Sequence, residues 1–493
     1  MSTSGHARVS ILLVATIVFF AFAQAHSAGS DVDRLVAALL GETPIAEDLR
    51  ELTDEIGGRP TGSKANLAAV EWSIKKFEAA GVKVYKEAFT MPGIWLERNC
   101  EARVSGDASF AARVASMPFS APTPEDGIKA ALVTAGRGTR EDFEQLGDDA
   151  KGAFALVETP PLLDVDGLFR EYNENVETER LAFEHGVAGV VYMSSRTDGI
   201  LYRHNASLGL ENKHLILAME RGEAQRALRL LQAGKQLELW VRIELDTGGP
   251  RESYNVVGEI AGSGSSDEIV IIGAHLDSWG LGTGANDNGC NVVMMIDIAR
   301  QMKRLDIRPN RTIRFALWNG EEQGFYGSWA YTVDHADELD HHVMAGSIDI
   351  GSGRITGFFT NGRPEMIDPV EKALMPVAGL GPFEQIDIPI VGTDNYDFMM
   401  QGVGNLVGNH DSYNYGPNYH ASSDNYDKVD LRQLRINAAV VAAVVFEFAE
   451  MDVTWERQTR DAIQTLVDST NLGDEMRTFR LMASWEDGSR GRK

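Results

Sequence analysis

The chain has 493 residues, 43% apolar and 24% charged, with a formal net charge of −26 at pH 7. Such a length carries two substantial cores, and the composition is that of an ordinary soluble globular protein. So acidic a balance argues against a phosphate-backbone partner, which needs a basic surface, and no nucleic-acid role is expected.

The N-terminus reads as an export signal over residues 1–25. Arg8 is followed by the almost unbroken apolar run Val9–Ala23, with Ala21, Ala23 and Ala25 in A-x-A spacing. That run is short of the roughly 20 residues that span a bilayer, so cleavage is expected and a stable membrane anchor is not. The mature protein would then be secreted or periplasmic. Only Cys100 and Cys290 occur, so no disulfide framework is expected, and Cys290 reads as a buried structural thiol. Asn205 and Asn310 match glycosylation acceptors, a short pattern that also arises by chance.

Residues 29–104 read as helices around the polar turn GGRPTGSKAN, with Gly81 as a stop after LAAVEWSIKKFEAAG, and then strands. Between 105 and 250 the texture changes. The buried-strand candidates ALVTAG, KGAFALVE and AGVVYM alternate with the helical patterns REDFEQLG and GEAQRALRLLQAG. No histidine–carboxylate cluster lies in this stretch, and it reads as a smaller domain inserted into the first.

From 251 to 450 the strands carry chemistry. EIVIIGAHLD, RTIRFALWNGEE and HVMAGSIDI are strands that end in histidine or acidic residues, with the one-faced helix CNVVMMIDIARQMKRL between the first two. Alternating strands and helices predict an α/β domain with three layers and a mostly parallel sheet. Ligands bind beyond the carboxyl ends of such strands, where His275, Glu321, Glu322 and Asp349 all fall. Residues 451–493 form a charged tail with one amphipathic stretch, DAIQTLVDS, and its last residues are expected to be mobile.

Imidazole and carboxylate suit zinc, and a catalytic zinc keeps a place for water. His275, Asp287, Glu322, Asp349 and His420 are the candidate ligands. With Asp287 shared, one ion takes His275, Asp287 and Asp349, and the other takes Asp287, Glu322 and His420. Two zinc ions roughly 3.5–4 Å apart activate a water between them. Asp277, two residues after His275 on the same strand face, is expected to accept a hydrogen bond from the imidazole and orient it. Glu321 is the candidate general base. His335, His341 and His342, in DHADELDHH, read as a solvated helix face. His410 is left as a substrate-side or supporting candidate, and His185, His204 and His214 as surface or core residues. GTGAND lacks the lysine of a phosphate-binding loop, and no Gly-x-Ser-x-Gly element supports a serine hydrolase.

These motifs resemble the di-zinc exopeptidase family of secreted aminopeptidases and glutamate carboxypeptidases, and most of all its plasma glutamate carboxypeptidase (carboxypeptidase Q) branch. H-x-D with G-A-N-D-N matches His275, Asp277 and Asp287. The E-E pair matches Glu321 and Glu322, the strand-end acid matches Asp349, and the final histidine matches His420 with Asp424. IGGRPTGSKAN and GTDNYDFMMQGV resemble further segments of the family, and residues 105–250 resemble its protease-associated insertion. The loop NHDSYNYGPNYHASSD and residues 395–397 depart from the family pattern on the substrate side. The resemblance implies two zinc ions per chain and short peptides or dipeptides as substrates, while a homodimer is left open. Asp394 and Asp397 are carboxylates available to a free amino terminus, set against a reading as solvated loop residues. Two other functions are weighed: a receptor-like or scaffold protein on the same fold, and a single-zinc glutaminyl cyclase. All five ligand positions and the base are filled, which favours the enzyme with two ions.

Overall fold

The computed structural model describes residues 30–163, 165–204, 209–264 and 266–493. The predicted export signal and Asn205 lie outside the described residues. No helix among the described residues is long and apolar enough to cross a membrane.

Among the described residues fifteen strands occur in chain order. They begin with β1 (Lys83–Met91), β2 (Ile94–Gly106), β3 (Phe110–Ala112), β4 (Val114–Ser116) and β5 (Ile128–Thr134). Then come β6 (Phe154–Val157), β7 (Gly189–Met193), β8 (Leu215–Met219), β9 (Leu237–Gly248) and β10 (Arg251–Ile260). The last are β11 (Ile269–His275), β12 (Thr312–Trp318), β13 (His342–Ser347), β14 (Ile355–Phe359) and β15 (Asn405–His410).

They form two sheets. The first has the order β1-β10-β12-β11-β13-β15-β14. Its four central strands, β12, β11, β13 and β15, run parallel, as the strand–helix alternation predicts. β1, β10 and β14 add antiparallel pairs at the two sides, so the sheet as a whole is mixed. Successive side chains on a strand point to opposite faces. On β11, Val270, Ile272 and Ala274 enter one core with the helices Lys64–Ala79, Cys290–Arg304 and Leu431–Glu450. Ile271 enters the opposite core with Tyr331 and Phe398, from the helices Tyr326–Asp334 and Asn395–Met400. Helices therefore cover both faces, which is the three-layer arrangement. A central strand buried on both sides must be apolar, and β11 is so up to His275 at its end.

Helix ends follow local chemistry. Ser63 Oγ accepts the Asn66 N–H at the start of Lys64–Ala79, and Gly81 takes the left-handed φ of +71° just beyond its end. Asp430 caps Leu431–Glu450 by accepting from Arg432 and Gln433 N–H.

The second sheet has the order β3-β2-β9-β5-β6-β7-β8-β4, with its own apolar clusters around Leu217 and around Val190. It begins at Ile94, inside the stretch read from sequence as the first part of the peptidase domain. The C-terminal segment carries the amphipathic helix expected over DAIQTLVDS and departs from expectation beyond it. It folds as the helices Arg460–Ser469, Leu472–Thr478 and Met482–Glu486, and Trp485 packs with Phe325 and Tyr396 in a further cluster. Arg490 is 5% exposed, so the chain end is held and not mobile. The reason is an ion pair that spacing cannot reveal. Arg490 Nε and Nη2 each lie 2.7 Å from a carboxylate oxygen of Asp397.

Candidate metal centre

The parallel strands deliver the site. His275 is the last residue of β11, in register with Trp318 of β12. Glu321 and Glu322 follow β12, Asp349 lies two residues beyond β13, and Asp287 sits in the loop between β11 and the helix Cys290–Arg304. His420 arrives from the loop after β15, with a left-handed φ of +53°.

These side chains converge in two groups whose ligand atoms lie within 4.8 Å of one another: His275, Asp287 and Asp349, and Asp287, Glu322 and His420. His275 Nε2 lies 3.2 Å from Asp287 Oδ1 and 2.9 Å from Asp349 Oδ1. His420 Nε2 lies 3.2 Å from Asp287 Oδ2 and 2.8 Å from Glu322 Oε2. The two oxygens of one aspartate thus face two different histidines. Glu321 Oε2 stands 3.9 Å from His275 Nε2, beside the first group and outside both.

The electrostatics show a cation deficit. Burial raises Glu322 to about 7, and burial also holds Asp349 and Glu321 above the ordinary carboxylate range. Burial works against a charged His420, yet Glu322 and Asp287 outweigh it and raise the ring to about 9. His275 is likewise held high by Asp349 and Glu321 against the cost of burial. Crowded buried carboxylates are costly unless a cation neutralises them. Among the described residues, Glu322 Oε1 is buried with no hydrogen-bond partner. Donor set, spacing and charge all fit a pair of metal ions.

The supporting groups differ from the sequence expectation in one respect. His275 Nδ1 lies 3.0 Å from the main-chain carbonyl of Asp277, while the Asp277 carboxylate is 3.8 Å away. That carboxylate accepts instead from Thr61 Oγ1 at 2.7 Å, and Thr61 Oγ1 accepts the Gly320 N–H at 2.9 Å. Asp277 therefore fastens the β11 end to the segment that leads into Glu321. Asp424 accepts the N–H groups of Asn286 and Asp287 at 2.7 and 3.1 Å, and so shapes the Asp287 loop. Arg59, fully buried, donates to the carbonyls of Leu276, Thr283 and Gly284, tying that same loop to β11.

Thr61, Arg59 and Arg490 escaped the sequence reading. The first two lie in GGRPTGSKAN, a segment legible as a turn and as a family likeness, and no residue spacing links them to His275. Arg490 donates to the carbonyls of Gly324 and Phe325 at 3.1 and 3.4 Å, next to the glutamate pair. Asp397, considered above for an amino terminus, is buried and committed to Arg490. Asp394 is buried too and does not line the cavity.

Among the described residues the remaining histidines do not join either group. His342 is buried at the start of β13, near the Tyr331 hydroxyl, which corrects its reading as part of a solvated helix face. His335 pairs with Glu87 and Glu338. His410 is buried on β15 with Nδ1 3.1 Å from the Gly353 carbonyl. His204 is a core residue. Cys100 and Cys290 are both free thiols, Cys290 buried. Asn310, the second acceptor pattern, has its side-chain amide on Glu450 at 2.7 Å.

A cavity of about 710 Å³ opens over the ligand cluster. Its walls include Trp95 and Tyr172 from the second-sheet unit and Phe479 and Arg480 from the C-terminal segment.

Residues 255–445, which span this ligand set, match peptidase family M28. The chain is 25% identical over 428 residues to carboxypeptidase Q of Rattus norvegicus, covering 82% of this chain and 85% of that protein. The structure of a peptidase M28 precursor from Shewanella amazonensis SB2B superposes with a TM-score of 0.78 at 27% identity, over 86% of this chain and 97% of that one. BSAP, a zinc aminopeptidase from Bacillus subtilis, shares the fold at a TM-score of 0.65 and 22% identity, over 84% of this chain and 96% of that one.

Proposed function

We propose that this chain is a zinc-dependent exopeptidase that hydrolyses short peptides, dipeptides among them. One observation carries the reading: each oxygen of Asp287 faces a different histidine, and each histidine faces its own further carboxylate. His275, Asp287 and Asp349 would hold one zinc ion, and Asp287, Glu322 and His420 the other. When bound, such a pair lowers the pKa of a water and polarises a carbonyl.

The chain's own groups do the rest. Glu321 accepts the proton of the attacking water and returns it to the leaving amine. Its burial raises its proton affinity, which favours that return. The Asp277 carbonyl holds the tautomer of His275 by accepting from Nδ1. The second-sheet unit is read as an inserted protease-associated domain that narrows the mouth over the cluster, so that a small substrate fits and a folded protein does not. The N-terminal apolar run fits export, which sequencing the mature N-terminus checks.

The decisive experiment pairs metal analysis with a substrate panel. Purified, zinc-replete protein should hold about two metals per chain. A chelator should abolish hydrolysis of a free dipeptide, and zinc should restore it. N-acetylated and C-amidated forms of that dipeptide show which end is read. Equal cleavage of both blocked forms, or of internal bonds in a long peptide, would refute an exopeptidase.

A further inference from the structure

His420 reaches the ligand cluster from a loop, not from a strand end, so something else must hold it. Beside contacts within its own loop, several come from residues 196–204 of the second-sheet unit. Arg203 N–H donates to the His420 carbonyl at 3.0 Å, and His420 Nδ1 lies 2.9 Å from the Arg203 carbonyl. Nδ1 is therefore the protonated nitrogen, which leaves Nε2 as the one aimed at Asp287 and Glu322. Tyr202 and Ala421 form an antiparallel bridge, Ser422 N–H donates to the Leu201 carbonyl at 2.8 Å, and Arg196 reaches the Tyr419 carbonyl at 3.4 Å. This extended pairing supports a residue at φ +53°, a backbone state that a histidine rarely adopts unaided.

The segment is itself anchored at one buried point. Arg203, 4% exposed, pairs with Glu97 Oε1 at 2.6 Å and donates to the Ser116 carbonyl at 3.2 Å, with its guanidinium 5.5 Å from the Trp95 ring centroid. Glu97 lies on β2, and Ser116 ends β4. The anchor is thus built into the second sheet.

We infer that the second-sheet unit is part of the metal centre: through the Arg203 carbonyl, fixed by the Arg203–Glu97 pair, it orients His420 for binding a metal ion. Arg203 is a positioning residue and touches no substrate. The inference rests on the proposed zinc site and adds that one of its two metal positions depends on the other folding unit. The positions should then be separable. Loss of the anchor weakens the site of Asp287, Glu322 and His420 and spares that of His275, Asp287 and Asp349.

The test is zinc titration of the full chain against a chromophoric chelator, with folding followed by circular dichroism. Removing one half of a buried pair strands the other, so Glu97→Leu and Arg203→Leu are made together, beside the conservative Arg203→Lys. Supporting tissue around a metal ligand is typically worth roughly 10–100-fold in affinity. The double variant should keep one tight zinc and bind the second roughly 10–100-fold more weakly, while Arg203→Lys stays near wild type. Two zinc ions held as tightly as in wild type would overturn the inference, and so would loss of both together, which means general unfolding. Wild-type protein that takes up no zinc would instead overturn the underlying functional reading.

Discussion

Two buried charged clusters lie side by side in this protein, with the rings of His204 and His420 only 6.2 Å apart between centroids. In the second-sheet unit, Glu171 accepts from Arg196 at 3.1 Å and from Ser195 at 3.0 Å, and it is driven down to about 2 although burial alone would raise it. His204 beside it is lowered to about 4 by burial and is neutral at pH 7, so one carboxylate meets one guanidinium. In the ligand cluster three carboxylates and Glu321 share two imidazoles. There burial pushes up Glu321, Glu322 and Asp349, and only Asp287, between the two imidazoles, is held down. Equal burial therefore has opposite outcomes. A cluster that balances its own charge is structure, whereas one left short of cations is a place for a cation to bind.

Breaking each cluster should reveal that difference. The largest effect is expected from Glu321→Gln, which keeps shape but cannot take a proton. Hydrolysis should fall ~10²–10⁴-fold with zinc content unchanged, as read by steady-state kinetics and metal analysis. Activity within a factor of a few of wild type would move the base elsewhere.

Glu171→Gln should do the reverse, sparing the chemistry and costing stability. It strands Arg196 in a fully buried site, at roughly 3–5 kcal/mol in denaturant unfolding. The same pair has a pH signature. Glu171 is depressed from its ordinary 4.5 to about 2, so its contribution is complete above pH 4.5 and is lost as the pH falls towards 2. Wild type should lose stability across that window, and the variant should lose less.

Arg490→Met tests whether the C-terminal segment belongs to the site. The carbonyls of Gly324 and Phe325 would lose their donor, and a small displacement of the glutamate pair costs on the order of 10²-fold in rate. The fall should appear in kcat with both metals retained. An unchanged kcat would make the segment only a wall of the cavity.

The smallest effect concerns Glu475 on the helix Leu472–Thr478, raised by burial from 4.5 to about 7. A carboxyl raised on folding stabilises fully below pH 4.5, and this contribution is lost as the pH climbs to 7. Glu475→Gln should flatten that decline and raise the melting temperature slightly at pH 8. Parallel pH–stability curves for the two proteins would discard the assignment.

Much of the site was legible in the chain because strand ends are local facts. An apolar run that stops at His275, and others that stop just before Glu321 and Asp349, mark the carboxyl edge of a parallel sheet, where ligands gather for geometric reasons. The five candidate ligands, the candidate base and the apolar run of β11 could be proposed from spacing and the alternation of side chains, and the fold brings the five side chains into two groups. What holds those ligands was not legible. The Thr61–Asp277 bond, the Arg203 carbonyl against His420 and the Arg490–Asp397 pair join residues 216, 217 and 93 positions apart. Asp397 as an open carboxylate and a loose C-terminus were reasonable from sequence and wrong in the fold, since one ion pair removes both. Local pattern decides which groups a strand end presents. Only the closing of two sheets and a C-terminal segment around them decides which are paired, which are strained and which are left short of a cation, because burial and charge balance depend on neighbours far away in the chain.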